Sequence, residues 1–140
     1  MHLIGRTFLG GLLLAFPVSF ADMLAPERPP AVHEVRMVQE GSTYRFAPAR
    51  VTVRRGDQVR FVMVSGGPHN VAFDPEKVPD AAERGLSAGM KDQISPLAGP
   101  LLTKAGESYT VSFADVAPGT YPFYCMPHMA MGMQGAVTVR

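Results

Sequence analysis

A single cysteine, Cys125, stands among the 140 residues. A chain with one thiol cannot close a disulfide within itself, and a bare thiol in an oxidising compartment would be a liability, so something has to bury or occupy Cys125. An excess of charge of either sign is also lacking: 13 Lys and Arg face 12 Asp and Glu, a formal net charge of +1. No global field therefore favours nucleic acid or an anionic membrane surface. The arginines gather in the first half, at Arg36, Arg45, Arg50, Arg54, Arg55 and Arg60, and read as solvated strand faces. No internal repeat, phosphate-binding loop, Ser/His/Asp set or well-placed carboxylate pair is present.

Long apolar runs are missing but for one. Phe8 to Phe20 is broken by Gly10-Gly11 and Pro17, and it falls short of the about 20 residues that cross a bilayer. With Arg6 before it and Ser19-Phe20-Ala21 after it, the run has the pattern of a secretory signal. Residues 1–21 are expected to be a signal peptide cleaved after Ala21, which implies export to the periplasm or another extracytoplasmic space without stable membrane insertion. Residues 22–31 are Pro-rich and aperiodic, and are expected to form a flexible leader. The remaining 32–140 suffice for one hydrophobic core, hence one domain.

Within that domain, short extended runs alternate with turns. Val32 to Val38, Tyr44 to Phe46 and Arg50 to Arg54 precede the turn Arg55-Gly56-Asp57. Gln58 to Val64 is the clearest strand. Gly66-Gly67-Pro68 then delivers His69 onto a strand from His69 to Phe73, placed in the sheet facing the cysteine strand. From Asp74 to Gly99 the pattern lapses, with one short helix near Asp80 to Gly85. Ser108 to Phe113, Thr120 to Tyr124 and Gly135 to Arg140 complete the set. Seven or eight short strands with no long helix predict an all-β, antiparallel β-sandwich.

The chemistry concentrates in Tyr121-Pro122-Phe123-Tyr124-Cys125-Met126-Pro127-His128-Met129-Ala130-Met131-Gly132-Met133 and in Gly66-Gly67-Pro68-His69-Asn70. Two imidazoles, one thiolate and a thioether are the donor set of a blue-copper electron-transfer site, a trigonal plane with a weak axial sulfur. His69, Cys125 and His128 would form the plane. Met133 is the favoured axial donor because the last strand can pin it, with Met131 as the alternative. Each element alone is weak, since a lone His on a strand is usually core or surface and a Met cluster is usually packing. Their combination in an exported, single-cysteine β protein is what carries the reading.

Pro68-His69-Asn70-Val71-Ala72-Phe73-Asp74, the Cys125-to-Met133 loop and Met133-Gln134-Gly135-Ala136-Val137-Thr138-Val139 resemble the two copper motifs of the plastocyanin and pseudoazurin branch of the cupredoxins. The resemblance spans roughly Val32 to Arg140. It implies a Greek-key sandwich holding one copper ion, cycling between Cu(I) and Cu(II), with His69, Cys125, His128 and Met133 as ligands. It also implies that Asn70 ties down the cysteine-bearing loop. The chain departs from that pattern at Met126, where many relatives carry a small hydroxyl residue, leaving only backbone for Asn70 to bind. It also departs in a long His69-to-Cys125 interval, its excess placed in 74–104.

The function expected is a monomeric, soluble one-electron carrier, not an enzyme. It would meet its redox partners transiently through an apolar patch of Met126, Pro127, Met129 and Met131 around His128. The alternative is a copper carrier or storage module, since the thioethers of that loop favour Cu(I). A multicopper enzyme needs more imidazoles: after cleavage only His33, His69 and His128 remain, and two are committed to one site.

Overall fold

Alternation of apolar and polar side chains builds two four-stranded sheets in the computed structural model, which describes residues 28–140. The expected signal segment and residues 22–27 of the leader lie outside the described residues. The strands are β1 (Val32–Glu40), β2 (Thr43–Ala47), β3 (Arg50–Val53), β4 (Gln58–Met63), β5 (Ala72–Phe73), β6 (Ser108–Ser112), β7 (Gly119–Tyr124) and β8 (Gln134–Val139). One sheet has the order β2-β1-β4-β6 and the other β3-β8-β7-β5. Inward residues of every second position, among them Val35, Met37, Val59, Phe61, Val111, Tyr121, Phe123, Val137 and Val139, make the shared core. Phe123 centres it, with Phe46 and Phe61 edge-on to its ring at 4.8 and 5.2 Å.

The eight strands and two layers agree with the expected sandwich, but the pairing is mixed. β1 and β2 form an antiparallel hairpin, whereas β1 and β4 run parallel, as do β3 and β8. The cause is the step from β2 to β3, which changes sheets. The following turn then returns β4 alongside β1 in the same direction. In that turn Gly56 has φ +95°, a conformation glycine adopts without steric cost.

Two local expectations are corrected. The strand drawn from His69 to Phe73 shrinks to Ala72–Phe73, and it pairs with β7 in the same sheet instead of facing it. His69 is instead held by two backbone bonds to Leu102, at 3.0 and 2.7 Å. The short helix expected near Asp80 to Gly85 is a ten-residue helix, α1 (Asp80–Gly89). It lies on the β6 side at backbone contact: a Cβ on Gly85 would come 2.1 Å from the Asp115 carbonyl oxygen, and one on Gly89 2.0 Å from that of Ser112. The two glycines that weaken helix propensity here are what let α1 dock and bury Leu86.

The last residues of the leader are tied down at the pole where β1 and β4 begin. The Asp57 carboxylate accepts from the Arg28 guanidinium at 2.8 and 3.1 Å and from the Ala31 and Arg54 N–H groups at 2.9 and 3.0 Å, with the His33 Nε2 3.0 Å away.

Candidate metal centre

Two chain segments converge, the turn between β4 and β5 and the loop between β7 and β8. His69 follows the Gly66-Gly67-Pro68 turn. Its ring Nε2 lies 2.8 Å from the Ser65 carbonyl oxygen, a contact only an Nε2–H makes favourable, which leaves Nδ1 as a lone-pair donor. Cys125 directly follows β7 and His128 comes after Pro127. The His128 N–H donates to the Cys125 carbonyl at 3.2 Å, the Met133 N–H to the His128 carbonyl at 3.2 Å, and the Cys125 N–H to the Met133 carbonyl at 3.1 Å. The loop is thus closed on itself by its own backbone.

The side chains meet at one point. Cys125 Sγ is 3.7 Å from His69 Nδ1 and 3.5 Å from His128 Nδ1, and the two Nδ1 atoms are 3.2 Å apart. These three residues form a buried group of ligating atoms. A point equidistant from the three corners lies about 2 Å from each, the length of a metal–nitrogen bond. Two imidazole nitrogens and one sulfur turned to a common point are a donor set suited to a soft cation.

Electrostatics agree with that fit. Burial pushes the His69 imidazole down, partly offset by its bond to Ser65. Burial and the neighbouring His69 push His128 down too. Burial pushes the Cys125 thiol up, against the lowering effect of the Asn70 and His128 N–H groups. All three shifts disfavour the charged form of the group, as burial in a low-dielectric pocket does. A soft cation that displaces the thiol proton supplies the charge the pocket lacks.

The other sequence-predicted residues fall in two groups. Asn70 is buried; its Oδ1 accepts from the Met126 N–H at 2.9 Å and its Nδ2 donates to the Gly99 carbonyl at 3.1 Å. It therefore joins the cysteine loop to the segment after α1. Met133 is 0% exposed, whereas Met131 is 58% exposed in the 3-10 turn Met129–Met131. Met126 and Met129 are exposed as well, and so is Pro127. Sequence reasoning missed Tyr44: its ring stacks on His128 with centroids 3.9 Å apart and planes 11° apart. It also missed the Ser65 and Gly99 carbonyls, which as backbone groups leave no residue-type signal.

Comparison with known proteins agrees with the geometry. Residues 33–140 match the family described as copper binding proteins, plastocyanin/azurin family. The chain is 33% identical over 136 residues to a plastocyanin of Nostoc punctiforme, covering 96% of this chain and 93% of that one. Among solved structures, the oxidised plastocyanin of Dryopteris crassirhizoma superposes with a TM-score of 0.61 at 32% identity, covering 76% of this chain and 99% of that one. The pseudoazurin of Methylobacterium extorquens does so at 0.52 and 28%, covering 77% and 74%. The chain belongs to the plastocyanin/azurin family of copper-binding proteins. It is a plastocyanin-like β-sandwich whose His-Cys-His group fits copper.

Proposed function

We propose that this protein is an exported, soluble one-electron carrier, not an enzyme, in which His69, Cys125 and His128 would hold a single copper ion with Met133 as a weak fourth donor. When bound, copper supplies a one-electron couple between Cu(I) and Cu(II). The chain's residues keep the donor positions fixed in both states: Ser65 and Leu102 hold His69, the backbone-closed loop holds His128 and Cys125, and Asn70 clamps that loop from behind. The observation that carries the reading is the exposure gradient across the donors. His69 and Cys125 are fully buried, and His128 alone reaches the surface, at 8%. One ring edge leads electrons out while water and substrates are kept away.

A concavity of about 560 Å³ is lined by Arg28, Arg54, Arg55 and Asp57, and one of about 620 Å³ by α1 side chains; neither touches a ligand. Met126, Pro127, Met129 and Met131 surround His128 with adaptable apolar surface suited to brief docking of redox partners by a monomer. The copper-delivery reading is not favoured, because the exposed thioethers lie outside the buried donor triangle. Export, with a periplasmic or other extracytoplasmic destination, rests on the signal pattern of residues 1–21. No helix among the described residues is long and apolar enough to cross a membrane.

Voltammetry of the copper-loaded protein tests the function. The expected result is a reversible one-electron wave with metal retained through repeated cycles. Loss of the metal on reduction would overturn the carrier reading.

A further inference from the structure

The methionines among the described residues sort into two populations. Met37, Met63, Met90 and Met133 are buried, and the three exposed ones, Met126 at 44%, Met129 at 51% and Met131 at 58%, all fall within six residues of chain around His128. Local backbone geometry produces the contrast. The 3-10 turn Met129–Met131 ends at Gly132, whose φ of +80° reverses the chain. Met131 therefore stays outside while Met133, two residues on, is enclosed.

We infer that Met126, Met129 and Met131 are a modification site for peroxide-class oxidants, and that their oxidation switches off docking without disturbing the metal centre. This rests on the docking role proposed above. In the step, a thioether lone pair attacks one oxygen of hydrogen peroxide. An S–O bond forms, the O–O bond breaks, sulfur gives up two electrons, and the departing oxygen leaves as water after proton transfer, so that thioether plus hydrogen peroxide gives sulfoxide plus water. Access decides which sulfurs react. The three collar residues are exposed, whereas Met133 and Cys125 are 0% exposed.

The consequence follows from the chemistry of the product. A sulfoxide oxygen is a strong hydrogen-bond acceptor, and burying it against a partner without a donor is unfavourable. Three of them would ring the one donor that reaches the surface. The His128 ring itself stays packed under Tyr44. Sulfoxides are reducible, so the change is reversible in principle.

Electron self-exchange between copies of the copper-loaded protein, followed by NMR line broadening, tests this without an identified partner. After dilute hydrogen peroxide treatment of the Cu(II) form, peptide mass mapping should find one added oxygen on each of Met126, Met129 and Met131 and none on Met37, Met63, Met90 or Met133. Self-exchange should fall about tenfold, equivalent to about 1.4 kcal/mol of encounter or activation free energy, with the visible spectrum unchanged. A variant carrying Met126→Leu, Met129→Leu and Met131→Leu, whatever its starting rate, should show no further fall on treatment. Oxidation reaching Met133 alongside the collar, or an equal fall in the triple Leu variant, would overturn the inference. The docking role has its own test in Met126→Gln, Met129→Gln and Met131→Gln combined. Fast self-exchange in that untreated variant would sink the docking role. Slow exchange there, with a collar that peroxide leaves unmodified, would sink only the oxidation switch.

Discussion

The Tyr44 ring lies flat on the His128 imidazole, with centroids 3.9 Å apart and planes 11° apart. A residue of β2, in one sheet, thereby covers the one donor of the loop between β7 and β8, in the other, that approaches solvent. The stack limits how far His128 can swing.

Tyr44→Ala should therefore free that ring, at a cost of about 1 kcal/mol in lost aromatic contact. Burial and the neighbouring His69 hold the His128 imidazole below its ordinary value. Taking away part of that burial should move its titration in the metal-free protein upward, so that it gains its proton at higher pH than in the wild type. NMR titration of the His128 ring reads this directly. An unmoved titration would mean that Tyr44 does not shield it.

Asp57 should govern the acid stability of the fold. Burial alone would raise its carboxyl, but the Ala31 N–H, the His33 ring, the Arg54 N–H and the Arg28 guanidinium hold it well below the usual carboxylate range. Because the folded value is depressed, this contribution is fully present above the unfolded value of about 3.9 and is lost as pH falls through the folded one. Asp57→Asn should cost about 2 kcal/mol at neutral pH, and its melting temperature should depend less on acid than that of the wild type. Parallel acid profiles for the two proteins would contradict this.

Gly85→Ala tests the docking of α1. The added Cβ would meet the Asp115 backbone carbonyl at 2.1 Å, and backbone cannot step aside as a flexible side chain can. A loss of roughly 1–3 kcal/mol is expected from overpacking, although alanine is the better helix former. Chemical denaturation measures it, and a gain in stability would show that α1 sits less tightly than described.

Met133→Leu should shift both the reduction potential and the visible spectrum of the copper-loaded protein, while Met131→Leu should leave both nearly unchanged. Met133 is enclosed, with its backbone bonded to Cys125 and His128; the Met131 side chain is more than half in solvent. The reverse pattern would transfer the axial role to Met131.

How much of this was legible in the sequence depended on how local each feature is. Cys125 and His128 lie on one short loop, so their spacing pointed to a metal centre, and the Pro68-His69-Asn70 turn supplied the third member of the group. The parallel pairing of β1 with β4 was not legible, because periodicity reports which face a residue takes and says nothing of strand direction. α1 was underestimated because glycine lowers helix propensity, whereas Gly85 and Gly89 are sites of close approach that packing rewards. Tyr44 gave no signal, since an aromatic residue on an alternating strand is ordinarily core. Arg28 sat in a Pro-rich stretch with no pattern, and only the fold brings it to Asp57.

The most direct measurement of the central claim is the visible absorption of the protein after addition of Cu(II), taken on the wild type and on Cys125→Ser. A short thiolate bond to copper gives an intense blue or green charge-transfer colour. That colour is expected in the wild type and its complete loss in Cys125→Ser, with circular dichroism showing the sandwich intact in both. A colourless wild type, or a variant that keeps the colour, would contradict it.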